Sequence, residues 1–174
     1  MKILLHLTVG IFFTLVTSSC GETNTIVGPD PQPVRLGNMF EGTERNSFAD
    51  AVVAAGLVDA LNEPGPFTVF YPSNEAFDAM LETLDTKKEA FLARDDLTDF
   101  ILNHVLDGDI GRGEFEDGTL QTLADETLTV EVREDETFVE GALVVYSSLD
   151  YEIINGNVHD LDKVLLPPGF AEAD

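Results

Sequence analysis

The chain has 174 residues, 33 Asp and Glu against nine Lys and Arg, one Cys, no Trp and a formal net charge of -24. So acidic a protein is not built to bind nucleic acid, which needs clustered Lys and Arg, nor a bare anionic membrane surface. A hydrophobic content of 44% with 12 Phe is enough to bury a core and excludes a disordered acidic tail, while a single Cys excludes an internal disulfide.

Lys2 is followed by an apolar run from Ile3 to Val16, too short to span a bilayer, and then by small residues. A basic start, a short apolar stretch and a small-residue exit read as a secretory signal peptide over residues 1–19. Thr17-Ser18-Ser19-Cys20 resembles the lipobox of bacterial lipoproteins, with Thr17 where that motif usually has Leu. The resemblance implies that Cys20 is the diacylated N-terminus of a protein secreted across the inner membrane and held in the cell envelope. The alternative reading is an unmodified thiol beside an ordinary cleavage site. Residues 20–37, with Pro29, Pro31 and Pro33 at alternate positions, favour an extended chain and read as a tether.

Beyond the tether, Phe48, Val52 and Ala55 share one helical face, with Asn46 or Ser47 as N-cap. Leu57, Val58 and Leu61 predict a second short helical turn, and Asn62-Glu63-Pro64-Gly65-Pro66 a loop. Phe67 to Phe70 reads as a strand. Ser73 is placed to cap a helix whose inner face is Phe77, Met80, Leu81 and Leu84. Thr86 and Glu89 match a capping box before Phe91 and Leu92. Asp95 or Asp96 opens a helix with Leu97, Phe100, Ile101 and His104 inward. After Gly108 the apolar period drops to two. Leu128 to Val132, Phe138-Val139 and Leu143 to Tyr146 read as strands, and Leu149–Ile154 and Val158–Leu166 as a hairpin pair across Asn155-Gly156-Asn157, without parallel crossovers. Helices first and antiparallel strands afterwards define an α+β class.

Three segments carry a resemblance to a known family. They are Gly65-Pro66-Phe67-Thr68-Val69-Phe70-Tyr71-Pro72-Ser73-Asn74-Glu75-Ala76-Phe77, Ile101-Leu102-Asn103-His104-Val105 with Gly108, and Asn155-Gly156-Asn157-Val158-His159-Asp160-Leu161-Asp162-Lys163-Val164-Leu165-Leu166-Pro167. In order and spacing they are similar to the two conserved motifs and the central Tyr-His segment of the fasciclin (FAS1) domain, with Asn103 in place of the Tyr. The resemblance runs over residues 38–168 and leaves 169–174 as a C-terminal tail. It implies a compact β-wedge or sandwich of about seven strands with several packed helices. It also implies a non-enzymatic adhesion or interaction module, with Asn103 and His104 as candidate partner contacts.

Read from the residues alone, His104 lies on an apolar helix face and His159 alternates with Leu161 along a strand, so both read as structural. No nucleophile, base and orienting group are arranged for catalysis, and no cofactor or metal motif is present. Asp107-Gly108-Asp109 and Asp160-Leu161-Asp162 are short acidic pairs that do not continue as an EF-hand loop, and they read as solvated surface. The expected partner is a protein or polysaccharide of the envelope or extracellular matrix, with the membrane reached through the lipid anchor. A second reading is a binder of a small lipid or oligosaccharide in a cleft beside the sheet. Residues 46–174 hold 29 acids and six bases, so the charge belongs to the folded domain. Its self-repulsion is eased where salt screens it within about 8 Å.

Overall fold

The computed structural model describes residues 34–41, 46–111, 113–145 and 153–170. The signal sequence, Cys20, residues 20–33 of the tether and most of the strand expected at 149–154 lie outside the described residues. Among the described residues there are six helices: α1 (Leu36–Met39), α2 (Ser47–Ala54), α3 (Val58–Leu61), α4 (Asn74–Thr83), α5 (Lys88–Leu92) and α6 (Leu97–Leu102). Strands are β1 (Phe67–Pro72), β2 (Val105–Asp107), β3 (Gly118–Gln121), β4 (Thr127–Arg133), β5 (Glu136–Val139), β6 (Ala142–Val145) and β7 (Gly156–Leu161). They form one seven-stranded sheet in the order β2-β1-β7-β6-β5-β4-β3. A bridge between Leu106 and Thr122 brings its two edges together, so the sheet nearly closes into a barrel. The α+β class and the strand number agree with the expectation from sequence.

Two helix starts follow the local chemistry read from the sequence. Asn46 Oδ1 accepts from the Ala49 N–H at 2.9 Å and Ser73 Oγ from the Ala76 N–H at 3.1 Å, each satisfying an otherwise orphaned amide. The capping box at Thr86 does not form: α5 is capped by Lys87, without a side-chain cap. Asp96 precedes α6, but its carboxylate is turned to Arg94 at 2.7 Å rather than to a helix amide. An ion pair outcompetes the cap there. α6 also ends before His104, whose N–H bonds the Ile101 carbonyl at 2.9 Å as the chain turns into β2. The strands β2 and β3, of three and four residues, are too short for a period-two signal to mark them.

The largest correction concerns β7. Asn155-Gly156-Asn157 is not a hairpin turn. β7 starts at Gly156, runs parallel to β1 from the Phe67–Gly156 pair to the Pro72–Leu161 pair, and is antiparallel to β6. Gly156 is needed for close approach: a Cβ there would sit 2.0 Å from the Phe67 carbonyl oxygen. Asn155 is buried and ties three chain segments. Its Oδ1 accepts from the Leu36 N–H at 2.9 Å, and its Nδ2 donates to the Leu61 and Glu63 carbonyls at 2.8 and 2.9 Å.

The core has two parts. Phe40, Phe48, Phe77, Phe91, Phe100 and Phe170 pack with Leu36, Val52, Leu97 and Ile101 among the helices. Phe70, Phe115, Leu128, Val130, Val139, Val144 and Leu161 fill the barrel. Burying each such side chain contributes about 1.5–3 kcal/mol. The core reaches past both boundaries drawn from sequence. Leu36, assigned to the tether, and Phe170, assigned to the tail, are both interior. Among the described residues no helix is long and apolar enough to cross a membrane.

Candidate functional site

Asn103 and His104 follow α6, where the chain turns from the helical layer into the sheet. Both are buried, at 1% and 0% exposure, so a partner on the surface meets neither side chain. Their partners are backbone. His104 Nδ1–H donates to the Phe100 carbonyl at 2.9 Å, and Nε2 accepts from the Leu165 N–H at 3.0 Å. Asn103 Nδ2 donates to the Leu165 carbonyl at 3.1 Å, leaving its Oδ1 buried without a protein partner. Neighbouring side chains therefore grip both polar groups of one residue in the irregular segment that leads to Phe170. The pattern requires a neutral imidazole with its proton on Nδ1. Burial between the Phe48 and Phe100 rings, 5.1 and 4.9 Å away between centroids, pushes the His104 pKa down to about 4.

The segment gripped at Leu165 is fastened again at its end. Phe170 packs on Phe100 and Phe91 at 5.3 and 5.9 Å between centroids. The Arg94 guanidinium lies 4.4 Å from the Phe170 ring centre and donates to the Phe170 carbonyl at 3.3 Å. Hydrogen bonds from Arg94 in turn hold the Asp96 carboxyl below its usual range. Sequence reading missed this arrangement, because no periodic signal links an Arg before α6 to a Phe 76 residues later.

His159, on β7, is 4% exposed and lies between the Phe70 and Phe115 rings. Its Nε2–H donates to the Ile110 carbonyl at 2.7 Å, and desolvation lowers its pKa. Buried Thr68 on β1 grips the same loop: Oγ1–H donates to the Gly108 carbonyl at 2.8 Å and the oxygen accepts from the Ile110 N–H at 3.0 Å. Both described histidines thus hold chain segments in place.

The acidic pairs also have structural partners. Asp162 Oδ1 accepts from the Leu143 N–H at 2.7 Å, and Asp109 accepts from the Asn157 side-chain amide. Among the described residues no cluster of His, Cys, Asp and Glu is arranged to hold a metal ion. The surface clefts, of about 250 to 590 Å³, are open to solvent. Carboxylates of Asp96, Asp99, Asp109 and Glu114 line two of them, whereas the cleft between α4 and α5 carries Lys87 and Lys88 beside Asp78 and Glu82.

A family model described as the fasciclin domain matches residues 43–167. Protein sll1483 of Synechocystis is 39% identical over 125 residues, which is 71% of this chain and 67% of that protein. The cell surface glycolipoprotein MPB83 of Mycobacterium bovis is 38% identical over 114 residues, covering 64% of this chain and 48% of the relative. In three dimensions the chain is similar to a FAS1 domain pair from the insect cell adhesion molecule fasciclin I. The TM-score is 0.62 at 16% identity, over 81% of this chain and 53% of that one, a likeness of fold alone.

Proposed function

This chain belongs to the fasciclin domain family, and we propose that it is a non-enzymatic adhesion or interaction module displayed outside the cytoplasm. In this reading residues 1–19 direct export, Cys20 carries the lipid anchor, and residues 20–37 hold the domain off the membrane. The partner is a protein or polysaccharide of the envelope or extracellular matrix, bound by the outer surface of the domain.

The observation that carries the reading is that both described histidines are bonded to backbone, His104 through both ring nitrogens and His159 through Nε2, inside a domain that the family model matches over almost its whole length. The polar groups best suited to proton transfer are committed to holding the fold, so the exposed faces are what remain for recognition. Relatives point to the same place in the cell: one bears the name of a cell surface glycolipoprotein, and a solved relative in fold that of a cell adhesion molecule. Asn103 and His104 enter this function from inside, by fixing the segment from Leu165 to Phe170.

The test is a deletion strain complemented with the wild-type gene or with Cys20→Ala. Attachment to a matrix-coated surface is expected to fall on deletion and to return with the wild-type gene. A palmitate analogue is expected to label wild type and not Cys20→Ala. Unchanged attachment on deletion overturns adhesion; absence of label in both proteins overturns the anchor.

A further inference from the structure

The near-closure of the barrel leaves an open seam. The two edges meet at the Leu106–Thr122 bridge and where the Leu123 N–H donates to the Val105 carbonyl at 2.8 Å. Away from that point β3 and the chain after β2 part company, and two clefts of about 410 and 350 Å³ lie between them. The two share Ile110 and Leu120 in their linings. Phe115, 8% exposed, lines one cleft, and Leu106 with Leu123, 38% exposed, lines the other.

β3 offers hydrogen-bonding groups to this seam. Thr119 stands opposite Thr129 on β4. Thr129 turns away from β3: its carbonyl accepts from the Glu140 N–H at 2.9 Å, and its own N–H donates to the Glu140 carboxylate. The Thr119–Thr129 pair is therefore of the non-hydrogen-bonded kind, and Thr119 directs its N–H and C=O into the seam. The facing wall is pinned, because Thr68 and His159 hold the Gly108 and Ile110 backbone from the sheet side. An unpaired strand edge beside a fixed apolar groove is the geometry that accepts an added strand.

Charge chooses the occupant. Residues 107–121 hold Asp107, Asp109, Glu114, Glu116 and Asp117 against one base, Arg112. The chain's own tether is a poor fit, since residues 20–33 carry Glu22 and Asp30 and no base. A second copy, at -24, is repelled. We propose that the seam between β3 and the facing loop residues 108–111 and 113–117 receives an extended cationic polypeptide segment of a partner protein, which adds to β3 as an outer strand. Alternate side chains of that segment are apolar and rest on Ile110, Phe115 and Leu120. The others are Lys or Arg and meet the carboxylates of the rim. The inference names the partner class for the adhesion reading and rests on it.

The probe is a blocked eight-residue peptide alternating Lys and Val, titrated calorimetrically into the full-length protein in detergent micelles. Binding is expected, with slowed exchange of the Thr119 amide and no binding by the Glu-Val counterpart. N-methylation of the peptide amides on one edge is expected to weaken binding about tenfold, the scale of one or two lost hydrogen bonds. The pair Asp107→Asn and Glu116→Gln is expected to weaken it about fivefold, and the pair Asp78→Asn and Glu82→Gln on α4 to leave it unchanged. Equal loss from the α4 pair, or indifference to N-methylation, overturns the proposal by reducing the binding to general charge attraction. If deletion abolishes attachment while the seam variants attach as wild type does, the seam fails and adhesion stands. If deletion leaves attachment intact while the peptide still protects Thr119, adhesion fails and the seam stands.

Discussion

The helical layer and the barrel each bury one histidine, and they use it differently. His104 lies in an aromatic cluster and has both ring nitrogens committed to backbone, one within its own turn and one 61 residues on at Leu165. His159 sits between two Phe rings and holds Ile110, in the loop that forms one wall of the open seam. The first half is fastened to itself from N-terminal Leu36 to C-terminal Phe170, whereas the second is joined across its last gap by a single bridge. The helical layer thus closes on itself, and the unpaired strand edge lies on the barrel.

That contrast is open to measurement. Phe100 touches Phe48, Phe77, Phe91, Phe170 and His104, so Phe100→Ala is expected to lower unfolding free energy by about 4 kcal/mol in urea titration. Phe115→Ala, at the barrel mouth, is expected to cost roughly 1–2 kcal/mol less, because solvent reaches the gap it leaves. Equal losses would break the distinction between a locked half and an open one.

Acid acts next. The folded pKa of His104 is about 4, below the unfolded value near 6.5, so the unfolded chain takes up the proton first. The neutral ring's contribution is complete above pH 6.5 and is lost as pH falls towards 4, on the order of 3 kcal/mol. The stability advantage of wild type over His104→Gln is expected to shrink by that amount between pH 7 and pH 4. The shift at His159 has the same sign, so a His159→Gln comparison is expected to move in the same direction. A stability difference for His104 that stays flat with pH would show that the ring is not held neutral.

The smallest effect belongs to a helix start. Ser73→Ala removes the cap of α4 and is expected to cost about 1 kcal/mol in thermal or urea unfolding. No change there would mean that tertiary packing of Phe77, Met80 and Leu81 alone holds that helix.

Much of the molecule was legible in the chain because its signals are local. The caps at Asn46 and Ser73, the apolar faces of α2 and α4, the alternation along β4 and the three family-like segments depend on neighbours within a few residues. The excess of acid over base in residues 46–174 was also legible without coordinates; it argues against a nucleic-acid partner and means that any docking segment must tolerate a strongly negative surface.

Other features depended on groups far apart in sequence. Asn155-Gly156 has the composition of a hairpin turn, yet its Gly answers the approach of the Phe67 carbonyl and its Asn ties α1 and α3 to β7. Asn103 and His104, placed by resemblance among partner contacts, are turned inward because the Leu165 backbone needs a donor and an acceptor in the core. The seam is likewise invisible in the sequence: it exists because β2 and β3 meet at one bridge and diverge beyond it. Sequence determined the composition, the local elements and the family, since these are set by near neighbours and by net charge. Only the tertiary structure decided which polar groups were spent on the core and which remained at an edge, because a hydrogen bond is assigned by distance in space.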